Sequence, residues 1–233
     1  MTTLLPVAIL AGGRGTRLGE RVRDTPKPLL EVAGEPFLFH QLRLLRAHGA
    51  RRVVLCVGYL GERIEAAVGD GSAFGLEVAC SYDERPGTAA ALRRALPLLG
   101  EAFLVVYGDT YLRIDYADVE RAFRASGLPA LMTVLPWQGG NALYADGLVS
   151  RYEKGSPDPA LRWIDYGLGA FRAEVLTETT AADLAELQHQ LAARGLLAGY
   201  PAVERFFEIG TEAALRETDA LLRAELSRHG RTE

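Results

Sequence analysis

Three uninterrupted apolar runs, at residues 6–10, 53–57 and 103–106, constrain the fold of this 233-residue chain more than any other feature. A strand without polar alternation has to be covered on both faces, as in a parallel sheet flanked by helices. Helical stripes lie between the runs. Residues 37–48 carry Leu38, Leu42 and Leu45 at helical spacing and stop at Gly49. Residues 62–68 form a shorter helix, and 76–80 read as a further strand. Residues 88–99 set Leu92, Ala95, Leu96 and Leu99 on one face before Gly100. This alternation predicts an α/β protein with a doubly wound, mostly parallel, Rossmann-like sheet. Such sheets hold ligands at the carboxyl ends of their strands.

From residue 129 the alternation weakens. Strands are expected at 130–134 and 148–152, and a helix at 180–194 with Thr180 as N-cap and Leu184, Leu187 and Leu191 inward. The length suits one domain. Formal charge of −4 argues against general nucleic-acid binding. No apolar run approaches the ~18 residues of a membrane span, and no signal peptide is visible. Cys56 and Cys80 lie in apolar stretches and read as reduced core cysteines, which points to a cytoplasmic protein. The four histidines lack metal-binding spacing, and no serine-hydrolase or zinc motif occurs.

The stretch 11–30 leaves the first apolar run as AGGRGTRLGERVRDTPKPLL. Gly12, Gly13 and Gly15 let backbone N–H groups approach an anion. Arg14, Arg17, Arg21, Arg23 and Lys27 outweigh Glu20 and Asp24, a local excess of +3 in an acidic chain. The dinucleotide fingerprint fails because Leu18 stands at its third glycine, and no glycine precedes a lysine as in a Walker A loop. Of 26 basic residues only Lys27 and Lys154 are lysine. An ammonium is a compact point charge where guanidinium is a planar fork, so these two mark places that demand the former.

Gly13-Arg14-Gly15-Thr16-Arg17-Leu18 with Pro26-Lys27-Pro28 resembles the paired signature of the sugar-1-phosphate nucleotidyltransferases. Short members with this opening include heptose-1-phosphate guanylyltransferase-like and N-acetylmuramate-1-phosphate uridylyltransferase-like proteins, the heptose type resembling this chain somewhat more. The resemblance implies transfer of NMP from an NTP to a sugar 1-phosphate, with Mg²⁺ as cofactor and pyrophosphate released. It implies catalytic roles for Arg17, Lys27 and Asp109. It surrounds the nucleotide with Ala11, Gly12, Gly13, Arg14, Gly15 and Thr16. Tyr107-Gly108-Asp109 matches the family's strand-then-G-D element, whose aspartate binds the metal. Phe206-Phe207-Glu208-Ile209-Gly210-Thr211 matches an aromatic-x-D-I-G-T segment, with Glu208 in place of the usual aspartate, and Thr211 is expected to cap a last helix carrying Leu215, Leu222 and Leu226. Residues 83–92 resemble the loop that enters the nucleobase pocket, here through Glu84, Gly87 and Thr88, although Pro86 and Ala90 depart from the pattern.

Lys154, Asp165 and Gly108 are implied on the sugar-phosphate side. Trp137 and Trp163 suit either core packing or stacking on a sugar ring. One domain, 1–233, is expected, with a nucleotide-binding half at about 1–128, an acceptor half at about 129–227 and a frayed tail from 228. The partners expected are an NTP and a sugar 1-phosphate, with no nucleic acid and no membrane, and with room for a homodimer. Two other readings are a cytidylyltransferase for a phosphonate or phosphocholine, and a catalytically silent nucleotide-binding regulatory subunit.

Overall fold

Val7 and Ile9 of the first apolar run pack into one core while Ala8 between them packs into another. The same split recurs at Val53, Leu55 and Val57 against Val54 and Cys56, and at Leu104 and Val106 against Phe103 and Val105. These strands are therefore covered on both faces, which is why their sequence shows no alternation.

The structure, a computed structural model, describes residues 3–83 and 87–229. In chain order the strands are β1 (Val7–Leu10), β2 (Glu31–Val32), β3 (Glu35–Pro36), β4 (Arg52–Val57), β5 (Glu77–Tyr82), β6 (Ala102–Tyr107), β7 (Thr110–Tyr111), β8 (Ala130–Pro136), β9 (Ala142–Ala145), β10 (Leu148–Tyr152), β11 (Trp163–Arg172), β12 (Leu197–Pro201) and β13 (Phe207–Glu208). The helices are α1 (Phe37–Ala47), α2 (Gly61–Val68), α3 (Thr88–Leu99), α4 (Tyr116–Ser126), α5 (Glu174–Thr177), α6 (Leu184–Ala193) and α7 (Glu212–His229). One nine-stranded sheet in the order β5-β4-β1-β6-β11-β8-β12-β10-β9 runs through both halves of the chain. Helices α1, α2 and α4 line the core on one side, and α3, α5 and α6 the core on the other.

The pairings β5–β4–β1–β6 are all parallel, as expected for doubly wound βαβ units. Beyond them β11 lies antiparallel to both β6 and β8. Its register shifts between Asp165 and Gly169, and the Thr133 hydroxyl serves the irregularity, donating to the Leu168 carbonyl at 2.6 Å and accepting from its N–H at 3.3 Å. This reversed strand brings residues 163–167 back toward the carboxyl end of β6.

Two expected elements differ. The helix predicted from Thr180 begins at Leu184 with Asp183 as its N-cap residue, because the backbone at Ala182 is bonded to the start of α3 instead. The tail predicted from residue 228 is helical through His229. Thr211 does cap α7, accepting from Ala214 N–H at 3.2 Å. Leu215 and Leu222 of its stripe are buried, whereas Leu226 is half exposed. Leu215 and Leu222 share a third, small core with Leu18, Val22, Leu30 and Val32, so the last helix supports the segment that follows the glycine loop. No helix among the described residues is long and apolar enough to cross a membrane.

Candidate active site

A cavity of about 1080 Å³ opens at the carboxyl ends of β1, β4 and β6. The whole glycine loop from Ala11 to Arg17 lines it, as do Lys27, Gly87, Thr88, Gly108, Asp109 and Lys154. Lys154 comes from the turn after β10, so the antiparallel half supplies a cation to the same wall as the glycine loop.

Four glycines of this wall are required by what surrounds them. Gly15 has φ +62°, and a Cβ on it would stand 3.3 Å from Lys27 Cβ. The loop thus closes on the lysine stem, and only a residue without a side chain fits that conformation comfortably. A Cβ on Gly108 would lie 2.7 Å from the Leu10 carbonyl oxygen, because the β6 end passes directly beside the β1 end. A Cβ on Gly12 would meet Gly58 N at 3.2 Å. Gly58, which follows the second apolar run as Gly12 and Gly108 follow theirs, also lines the cavity. That shared position after a buried strand was the signal that could have found it.

Lys27 is 8% exposed, and its ammonium donates directly to the Asp109 carboxylate. Opposite charges in contact settle where each sits. Arg17 is exposed on the cavity wall. Arg14 stacks over the Tyr59 ring, 5.3 Å from its centroid, and the Tyr59 hydroxyl donates to the Arg23 carbonyl at 2.8 Å. Arg63 donates to the Asp24 carbonyl, so the loop and helix after β4 strap the segment that follows the glycines. Neither Tyr59 nor Arg63 carries a sequence signal for this, since both contacts depend on the β1–β4 pairing.

Asp165 does not line the cavity but is joined to it. Its carboxylate accepts from the Tyr107 hydroxyl at 3.5 Å and from Gly167 N–H at 3.0 Å, and Tyr107 is on the wall. Burial pushes the Asp165 carboxyl up to about 6, opposed by Gly167 N–H, the nearby Lys154 ammonium and the Tyr107 hydroxyl. Glu153, beside Lys154, has both carboxylate oxygens engaged by Arg151, at 2.7 and 2.9 Å. Trp163 packs edge-on against Tyr144 with centroids 4.9 Å apart, whereas Trp137 is exposed and stacks on Phe206 at 6.3 Å.

At the nucleobase loop, Glu84 lies outside the described residues. Gly87 has φ +120°, and a Cβ there would fall 2.4 Å from the Ala182 carbonyl oxygen. That same oxygen accepts from Ala89 and Ala90 N–H at 2.9 and 3.0 Å. Thr88 Oγ accepts from Leu184 N–H at 2.8 Å, and the Asp183 carboxylate accepts from Thr88 N–H at 3.3 Å. The two helix starts cap one another, so Thr88 reaches the cavity from a fixed position. Of the small residues at 89–91, Ala89 belongs to the core and Ala91 to the cavity wall.

Glu208 sits opposite Thr110 in the β13–β7 pair, and Ile209 N–H donates to the Asp109 carbonyl at 3.0 Å. A Cβ on Gly210, itself on the cavity wall, would be 3.1 Å from a Glu208 carboxylate oxygen. No group of three His, Cys, Asp or Glu side chains gathers as a metal cage among the described residues. Asp109 is on the cavity wall and Glu208 is not, although Gly210 beside it is; both are hard oxygen donors, the chemistry that suits a divalent cation held by one or two carboxylates with substrate phosphates and water.

Comparison with known proteins fits this geometry. Residues 7–205 match the model of the MobA-like NTP transferase domain. The chain is 35% identical over 224 residues to N-acetylmuramate alpha-1-phosphate uridylyltransferase of Neisseria meningitidis, covering 91% of this chain and 96% of that protein. It is 32% identical over 178 residues to the mannose-1-phosphate guanylyltransferase catalytic subunit beta of Drosophila pseudoobscura, covering 72% of this chain and 48% of that protein. The crystal structure of HddC from Yersinia pseudotuberculosis complexed with GMP-PN superposes with a TM-score of 0.77 at 24% identity, over 94% of this chain and all of that one. A Bacillus anthracis structure in complex with sucrose reaches a TM-score of 0.84 at 21% identity, over 94% of this chain and 95% of that one. These two likenesses are of fold.

Proposed function

The chain belongs to the MobA-like NTP transferase family, and from that footing we propose that it transfers a nucleoside monophosphate from an NTP to a sugar 1-phosphate. An oxygen of the sugar phosphate attacks the α-phosphorus of the NTP. The bond to the bridging oxygen breaks, and pyrophosphate departs with the electron pair. A phosphate monoester is already anionic, so the protein needs no base. It has to hold two anions together and answer the charge that spreads over the transferring group.

One observation carries this reading: Lys27 and Lys154, the two lysines of the chain, line one cavity with the glycine loop although they come from opposite halves of the sequence. Lys27 then serves the α-phosphate and the attacking phosphate, Arg17 the β- and γ-phosphates, and Lys154 the acceptor phosphate. Gly12, Gly13 and Gly15 offer backbone N–H groups to the nucleotide beside Ala11, Arg14 and Thr16. Gly87 and Thr88 edge the base side. Asp165, through Tyr107, and Gly108 edge the acceptor side. Asp109 and Glu208 would hold a divalent cation, Mg²⁺, which when bound neutralises phosphate charge and orients the NTP. Residues 1–128 would supply the nucleotide side and 129–227 the acceptor side of a single domain.

For the pair of substrates we favour UTP with N-acetylmuramate 1-phosphate. This choice follows the N-acetylmuramate alpha-1-phosphate uridylyltransferase, 35% identical over 91% of this chain, rather than the heptose type that the opening motif resembles somewhat more. The test is pyrophosphate release across a matrix of NTPs and sugar 1-phosphates with Mg²⁺. Turnover is expected for UTP with the muramate sugar. NTP binding without turnover on any acceptor would instead support the regulatory reading, and release only with CTP and a phosphonate or phosphocholine would support the cytidylyltransferase.

A further inference from the structure

Gln41 lies in the middle of α1, 2% exposed and away from the cavity wall. Its side-chain amide nitrogen donates to two backbone carbonyls, Tyr107 at 3.0 Å and Thr110 at 2.6 Å. Those carbonyls bracket Gly108-Asp109, the turn that carries one candidate metal carboxylate. The Thr110 hydroxyl donates to the same Tyr107 carbonyl at 3.1 Å, closing the turn from within.

The arrangement is costly. Gln41 Oε1 is buried and has no hydrogen-bond partner among the described residues, and an unanswered buried acceptor destabilises a fold. An apolar side chain would match the neighbours Leu38, Leu42 and Leu45 that fill the core from this helix. What glutamine alone contributes here is a pair of N–H donors at the end of a stem long enough to reach the turn. The consequence spreads further. Thr110 opens β7, which pairs with Glu208, and Ile209 N–H is bonded to the Asp109 carbonyl. One amide therefore sets the backbone under both candidate metal carboxylates.

We propose that Gln41 is a positioning residue for the divalent cation: by gripping the Tyr107 and Thr110 carbonyls it holds Asp109, and through β7 Glu208, in the register that metal binding requires. The proposal rests on the assignment of Asp109 as a metal ligand. Carboxylates that bind metal must be held to within about half an ångström, which a turn free to shift does not provide. Gln41 itself, away from the cavity wall, would touch neither substrate nor metal.

The experiment titrates Mn²⁺, in the presence of UTP, against the full-length protein by electron paramagnetic resonance. Gln41→Met keeps the length and shape of the side chain and removes both donors. It is expected to weaken Mn²⁺ binding by roughly tenfold, as losses outside the coordinating shell commonly do. Gln188→Met is the matched control. Gln188 in α6 is also 2% exposed, and its Oε1 has no partner among the described residues, so its replacement probes burial without touching the turn. Its Mn²⁺ binding is expected at the wild-type value even if its melting temperature falls as far. Asp109→Asn separates the two layers of the reading. If Asp109→Asn weakens Mn²⁺ binding and Gln41→Met does not, the role of Gln41 is overturned while the metal assignment survives. If Asp109→Asn leaves binding unchanged, both fall. Should Gln41→Met fail to fold, Gln41→Asn carries the test. Its stem is one methylene shorter and cannot reach both carbonyls, so unaltered Mn²⁺ binding in that folded variant overturns the proposal.

Discussion

Replacing Gly15 and Gly13 in turn by alanine separates what the glycine loop does for the fold from what it does for the ligand. Gly15 has φ +62°, a conformation that costs an L-residue about 1 kcal/mol. The new Cβ would also stand 3.2 Å from Val22 Cγ1, 3.3 Å from Lys27 Cβ and 3.4 Å from Lys27 Cδ. Relief needs shifts of only a few tenths of an ångström, so the overpacking cost belongs at the low end, about 1 kcal/mol. Gly15→Ala should therefore lose about 2 kcal/mol of stability, and it should slow turnover because the atoms that must yield include the Lys27 stem.

Gly13 differs in both respects. Its φ is not positive, and a Cβ on it meets nothing within 4 Å among the described residues. Gly13→Ala should leave stability within about 0.5 kcal/mol of wild type. The methyl would still stand on the cavity wall where a triphosphate has to approach, and kcat/KM should fall by roughly tenfold or more, about 1.4 kcal/mol of lost binding. Urea unfolding measures the first quantity and initial rates of pyrophosphate release the second. If Gly15→Ala unfolds at the wild-type midpoint, the closure of the loop on Lys27 is not what requires glycine. If Gly13→Ala keeps full kcat/KM, no anion approaches the backbone at that residue.

Lys27→Ala and Asp109→Ala should each cut pyrophosphate release by on the order of 10²–10³-fold while the circular dichroism spectrum is retained; full activity in either variant removes the role assigned to that residue. The Asp165 carboxyl, raised from 3.8 to about 6 by burial, binds its proton more tightly in the folded chain than in the unfolded one. Its penalty is absent below the unfolded value, grows as pH rises between the two and is full above about 6, so Asp165→Asn should gain stability at pH 8 by at most about 3 kcal/mol and gain nothing near pH 4. Equal effects of Asp165→Asn on the urea midpoint at both pH values would contradict that linkage. Gly87→Ala should destabilise by about 3 kcal/mol or more, since its Cβ would sit 2.4 Å from a carbonyl oxygen at φ +120°; an unchanged thermal melt would mean that the contact between Gly87 and Ala182 is dispensable.

Much of the molecule could be read from the chain because the signals are local. A run such as 53–57 has to be covered on both faces whatever its neighbours are, and the two core clusters meet it from both sides. Gly13, Gly15 and Lys27 stand close in sequence, so their shared cavity needed only a turn at the end of a strand. Asp109 follows an apolar strand, and the parallel pairing of β6 with β1 carries it to that same end.

The remainder depended on which backbone comes to lie against which. The reversal of β11 brings Asp165 to Tyr107, and no pattern within residues 163–172 foretells that a neighbour in the sheet runs the other way. Thr88 looked like a nucleotide contact and proved also to share a reciprocal cap with Asp183, 95 residues away. Gln41 carries no signal within its helix because its partners are main-chain carbonyls, which every residue has and no sequence marks. Side-chain chemistry and burial are written residue by residue, so the chain determined its strands, its cation-bearing loop and its fold class. Hydrogen bonds to distant backbone exist only after the sheet has closed, and those tertiary contacts decided how the candidate site is held.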